Sequence, residues 1–90
     1  MKLKYDFVTN KVAGKTVAVA VGKGLSEFGG FIKLNDTGAF IFELLKKEIT
    51  KEEIVKAILG EYDITEEKAL ESTEEFLEYL SSNGVLKWTE

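Results

Sequence analysis

Neither cysteine nor histidine occurs among the 90 residues. Without cysteine there is no disulfide, no thiolate nucleophile and no sulfur-ligated metal. Without histidine the commonest general base and the commonest transition-metal ligand are missing together. No proline interrupts a strand or a helix, and no arginine is present: all 12 basic residues are lysines, against 16 acidic ones, for a net charge of −4. A nucleic-acid binder normally carries a basic face, so this balance argues against a nucleic-acid partner. No apolar run approaches the about 20 residues that span a bilayer. The opening Met1-Lys2-Leu3-Lys4-Tyr5-Asp6 lacks the apolar centre of a secretion signal. The expectation is a cytoplasmic chain with no membrane partner.

What is present is the balance of a folded protein, 44% hydrophobic and 31% charged. Ninety residues build one core, so residues 1–90 are expected to form a single domain. The first third is rich in Val, Gly, Phe and Thr, and the rest in Glu, Lys, Leu and Ile. Leu3, Tyr5 and Phe7 alternate with Lys4 and Asp6, the period of a first strand. Residues 10–15, with Ala13-Gly14-Lys15, form the turn region. Residues 16–21 make a second strand, with Val17, Val19 and Val21 on one face and Ala18 and Ala20 on the other, and the two strands form a hairpin. Gly22, Gly24, Gly29 and Gly30 bracket a connection that contains Leu25 and Phe28. Phe31-Ile32-Lys33-Leu34 is a short third strand.

Asn35 or Asp36 can cap the helix that follows. That helix, through Phe40-Ile41-Phe42-Glu43-Leu44-Leu45, is apolar on most sides and is predicted to be central and buried. Thr50 and Glu53 have the spacing of a capping box, with Ile49 and Ile54 as its hydrophobic staple. Ile54, Ile58 and Leu59 give the second helix its apolar face, and Gly60 lies near its end. Thr65 caps a third helix, with Glu66 and Glu67 in its first turn. There Ala69, Thr73, Phe76, Leu77 and Leu80 share one face, and Tyr79 sits at its margin. Asn83-Gly84 ends the helix, and Val85-Leu86-Lys87-Trp88 is an apolar tail. The predicted class is α+β, an N-terminal three-stranded antiparallel sheet followed by three helices, β-β-β-α-α-α, similar to a winged helix-turn-helix.

Sites of chemistry are scarce. Gly14-Lys15-Thr16 imitates the end of a phosphate loop, but Thr9 stands where the earlier glycine belongs and a strand follows instead of a helix. A hairpin turn explains it. Gly22-Lys23-Gly24 and Gly29-Gly30 have no helix start at the right distance to hold an anion, and they read as linker. Adjacent glutamates at 52–53, 66–67 and 74–75 point about 100° apart on a helix, so spacing makes no acid pair of them. They match no calcium loop either. Phe40 or Phe42, and Phe76, are assigned to the core. Glu71, Glu74, Glu75 and Glu78 make the third helix acidic outside, and a groove beside it would favour a basic peptide. No catalytic residue, metal site or cofactor is expected, and the chain reads as a non-enzyme.

The stretch from Phe31 to Leu45 resembles the PqqD family, which shows a short strand, then LN-x-T-G-x-x-[IL]-[WF]-E-L-L, then a Thr-initiated helix. Leu34-Asn35, Thr37-Gly38, Ile41-Phe42-Glu43-Leu44-Leu45, Ile54, Tyr62, Phe76-Leu77, Leu80 and Gly84-Val85-Leu86 fall in register. Val12-Ala13-Gly14 and residues 17–21 resemble one branch of it. The resemblance covers nearly the whole chain. It implies a recognition element for ribosomally made, post-translationally modified peptides. Such a domain binds the leader segment of a precursor peptide and delivers it to a modifying enzyme, often a radical S-adenosylmethionine protein. The leader lies as an added strand against the third strand, here residues 30–34, in a groove bounded by the third helix, here residues 65–82.

An edge strand carries unpaired amides and carbonyls, which a peptide strand satisfies without reading sequence. The expected peptide contacts are Gly30, Phe31, Ile32, Lys33 and Leu34 on the strand, with Ser72, Glu75 and Tyr79 on one flank of the third helix. The open edge also permits a homodimer. The alternative is a winged-helix DNA-binding regulator, disfavoured because a recognition helix normally carries Arg, Lys or Asn, not glutamates.

Overall fold

A computed structural model describes residues 1–22 and 30–87. Gly24, Leu25, Phe28 and Gly29 of the expected linker, and Trp88 of the tail, lie outside the described residues. The chain runs β1 (Lys2–Leu3), β2 (Asp6–Val12), β3 (Lys15–Val21), β4 (Phe31–Leu34), α1 (Asp36–Leu44), α2 (Lys51–Glu61), α3 (Glu66–Ser82) and β5 (Leu86–Lys87). Strands β2, β3 and β4 form an antiparallel sheet in that order, and β1 pairs with β5 in a second, two-stranded sheet. The class is α+β, as predicted.

The hairpin differs in detail from its expectation. Strand β2 runs on to Val12, opposite Lys15, so the loop is Ala13 and Gly14 alone. Both have positive φ, 52° and 79°. That is the pattern of a type I′ turn, whose twist matches the strands it joins. The alternation of Leu3, Tyr5 and Phe7 is also broken between two sheets. Leu3 pairs with Leu86 in β1 and β5, whereas Phe7 pairs with Ala20 in the hairpin. The Leu3 amide donates to the Leu45 carbonyl at 2.9 Å and the Lys4 amide to the Val85 carbonyl at 2.8 Å. Alternation identified the buried residues Leu3 and Phe7, but the partner of each was a tertiary matter.

All three helix starts follow their capping residues. Asn35, not Asp36, caps α1, its Oδ1 accepting from the Gly38 amide at 2.6 Å. Thr50 and Glu53 form the reciprocal capping box on α2, and the Thr65 hydroxyl accepts from the Lys68 amide on α3. The far end of α3 closes with a Schellman motif. The Gly84 amide, at φ 71°, donates to Ser81, and the Val85 amide donates to Leu80.

Helix α1 is central. It packs on β3 and β4 with one side and on α2 and α3 with the other. Ile41, Phe42 and Leu45 are fully buried, and the Phe42 ring meets Phe7 edge-on at 5.1 Å. Phe40 is half-buried and packs edge-on against Tyr62 at 5.6 Å between ring centres, so the core phenylalanine of that pair is Phe42. On the sheet, Phe7, Ala18, Ala20, Ile32 and Leu34 face the helices. The valines of β3 face the other way, and Val8, Val19 and Phe31 stand in one exposed row across the three strands. Among the described residues Thr73 is the buried polar one, and its hydroxyl donates to the Ala69 carbonyl at 2.7 Å.

Candidate functional site

Strand β4 pairs with β3 on one side and, among the described residues, with no strand on the other. Its register sets Phe31 opposite Val19 and Leu34 opposite Thr16. Every second residue of such a strand directs its N–H and C=O away from the sheet, so the edge is a row of unpaired backbone groups. Only Asn35 separates β4 from α1. The cap therefore turns the chain sharply and leaves the helix start beside the strand end.

A groove of about 370 Å³ opens at that corner. Lys33, Leu34 and Asn35 form its strand wall, and Ser72, Glu75 and Tyr79 stand on the α3 wall. Those three are spaced 3 and 4 residues apart, so they form one stripe along the helix. Thr37, Gly38, Ile41 and Phe76 complete the lining. A β-carbon placed on Gly38 would lie 2.9 Å from Phe76 Cε1 and 2.9 Å from Asn35 Oδ1. The missing side chain is thus what lets Phe76 approach α1 this closely. Phe76 lies 6.2 Å from the Tyr79 ring, centre to centre. Tyr79 is 42% exposed, with one side against the protein and the other wet.

The residues singled out in the sequence divide three ways. Lys33, Leu34, Ser72, Glu75 and Tyr79 line one groove. Phe31 is 60% exposed on the outer face of the sheet, and Ile32 is buried and is not among the groove's lining residues. Gly30 is half-buried ahead of the strand and is not among the groove's lining residues. Sequence reasoning missed Asn35, Thr37, Gly38 and Ile41 as groove residues, and it assigned Phe76 to the core. Phe76 is half-buried, packed against the core on one side and lining the groove with the other. A glycine three residues after a helix cap was the available signal, because it marks a close approach at a helix start.

The acidic exterior of α3 also divides. Glu74 faces away from the groove, where Lys51 Nζ lies 3.4 Å from its Oε2, and Glu78 borders that same opposite cleft. Glu75 is the carboxylate that lines the groove, and it has no ion pair or hydrogen bond among the described residues. No cluster of metal-ligating side chains occurs among the described residues, and no described helix is long and apolar enough to cross a membrane.

The solved structure of TbiB1 in complex with the TbiA(beta) leader peptide superposes on this chain with a TM-score of 0.75, at 23% identity and with 100% of each chain covered. At that identity the likeness is one of fold. Among curated proteins none matches the sequence. The family model for coenzyme PQQ synthesis protein D matches residues 12–86, from the last residue of β2 into β5. With the match spanning most of the chain and both walls of the groove, this protein belongs to the PqqD family.

Proposed function

We propose that the chain, acting as one unit over residues 1–90, captures the leader segment of a ribosomally made precursor peptide and presents it to a modifying enzyme. The observation that carries this reading is the unpaired edge of β4 beside a side-chain groove, in a member of the PqqD family. A peptide added to the edge satisfies backbone groups on both partners, which gives affinity with little dependence on sequence. Alternate peptide side chains then turn toward the groove between β4 and α3, where pockets read them. A chain of the same fold has been solved with a leader peptide bound, which supports capture of a leader segment.

The peptide contacts are the β4 backbone with Gly30, Phe31, Ile32, Lys33 and Leu34, and the α3 side chains Ser72, Glu75 and Tyr79. The role is that of a carrier in the cytoplasm, with no chemistry of its own, serving a peptide-modifying enzyme such as a radical S-adenosylmethionine protein. A second copy pairing through the same edge would compete with the peptide, so peptide addition is expected to dissociate any homodimer. A DNA-binding role is disfavoured by the carboxylates along α3, which would face phosphates.

The test is an amide-shift titration of labelled protein with the precursor peptide encoded beside its gene, followed by hydrogen exchange. Shifts should cluster on β4 and α3, and β4 edge amides should gain protection as they pair. Shifts confined to α2 or to the β2 edge would overturn the proposal.

A further inference from the structure

We infer that the groove selects peptides carrying a lysine or arginine at the position that meets Glu75, with the stem of that side chain laid along Tyr79. The inference deepens the peptide-binding reading and rests on it. Four observations converge on this class. Glu75 stands on the groove wall, and no cation satisfies it among the described residues. Tyr79 is one helical turn further along the same stripe and is 42% exposed, so its ring offers a face beside the carboxylate. The Phe76 ring lies 6.2 Å from it, making a continuous apolar surface for a methylene stem. Lys33, the groove's cation, belongs by strand alternation to the face of Phe31, opposite to that of buried Ile32 and Leu34. It lines the strand wall of the groove and forms no ion pair with Glu75 among the described residues.

A long basic side chain fits such a wall better than other types. Its hydrocarbon stem covers apolar surface while its head stays at a charged, wet rim. A cation over a tyrosine face adds its own attraction. An acidic peptide residue at the same place would face Glu75 directly and be rejected. Glu74, engaged by Lys51, and Glu78, which borders the opposite cleft, do not line this groove.

The experiment is selection of a displayed library of random decapeptides against the full chain, repeated with Glu75→Gln, Glu75→Lys and Glu78→Lys. Glu75 is exposed, so these variants should fold, and their amide spectra check it. Binders to the native chain should be enriched in Lys or Arg at one register position. Glu75→Gln should weaken a selected peptide by on the order of 5-fold at low salt, the scale of one partly exposed ion pair, and less as salt rises. Glu75→Lys should replace the basic preference with Asp or Glu, and Glu78→Lys should leave it unchanged. Neutral binders whose shifts fall on β4 and α3 would overturn this inference and leave the groove reading standing. An equal effect of Glu78→Lys would overturn it too, by assigning the preference to overall charge. Binders that shift neither β4 nor α3 would overturn both.

Discussion

Gly38 stands at the third position of α1, where that helix meets Phe76 of α3. Alanine there would favour the helix by up to about 1 kcal/mol in an open context. Here its β-carbon would enter two contacts at 2.9 Å, one with an aromatic ring and one with the capping oxygen of Asn35. Relief by moving the ring costs packing, typically about 1–3 kcal/mol, and pushes Phe76 into the groove. Gly38→Ala is therefore expected to lower stability by about 1 kcal/mol net and to weaken peptide binding as well. Urea unfolding and a binding titration on the same variant read the two effects. Combining it with Phe76→Ala should give a stability loss smaller than the sum of the two single losses, because the clash then has no partner. An unchanged unfolding midpoint for Gly38→Ala would end the close-approach account. A glycine after LN-x-T is visible in the sequence, but the ring 38 residues later that requires it is not.

The β2–β3 hairpin is closed by a residue unsuited to its place. Ala13 holds φ 52°, a conformation that costs a side-chain-bearing residue about 1–2 kcal/mol and that asparagine and glycine tolerate far better. Type I′ turns favour Asn-Gly for that reason. Ala13→Asn is expected to raise stability by about 0.5–1 kcal/mol, measured as a higher thermal midpoint with the fold unchanged. A lower midpoint would mean that the loop relaxes to another turn. Elements with local chemistry are legible in the sequence. The three capping residues and the Asn83-Gly84 stop each satisfy backbone groups within a few positions of themselves. The end of β2 is not legible in the same way. Asn10, Lys11 and Val12 carry turn-like and strand-like residues in equal measure, and pairing with Val17, Thr16 and Lys15 decides in favour of strand.

At the scale of the whole molecule, the two-stranded β1–β5 sheet joins the first residues of the chain to the segment after α3. Met1 reinforces the join, its amino group donating to the Ile49 carbonyl at 3.0 Å and pairing with the Glu48 carboxylate. Leu3 and Leu86 are directly opposed and both buried. Truncating either to alanine is expected to cost about 2–3 kcal/mol, and the double variant less than the sum, since each loses the other's contact. Additive losses in a double-mutant cycle by denaturant unfolding would show that the pair does not act as a unit. Binding at the opposite corner should be largely preserved in all three at temperatures where they remain folded.

The sequence by itself determined the helices with their starts, the antiparallel class, the strand that becomes the open edge and the family to which the chain belongs. These rest on periodicity, capping and an ordered motif, all of which act over short stretches of chain. Tertiary structure alone decided that alanines 18 and 20 face the core while the more apolar valines of β3 face outward. It also decided that Leu3 and Phe7 serve different sheets, and that one glutamate of α3 faces the groove while its neighbours face away. Each depends on how elements distant in sequence approach one another. An alternating or helical pattern specifies faces, and only the packing of α1 between the sheet and the other helices specifies what each face meets.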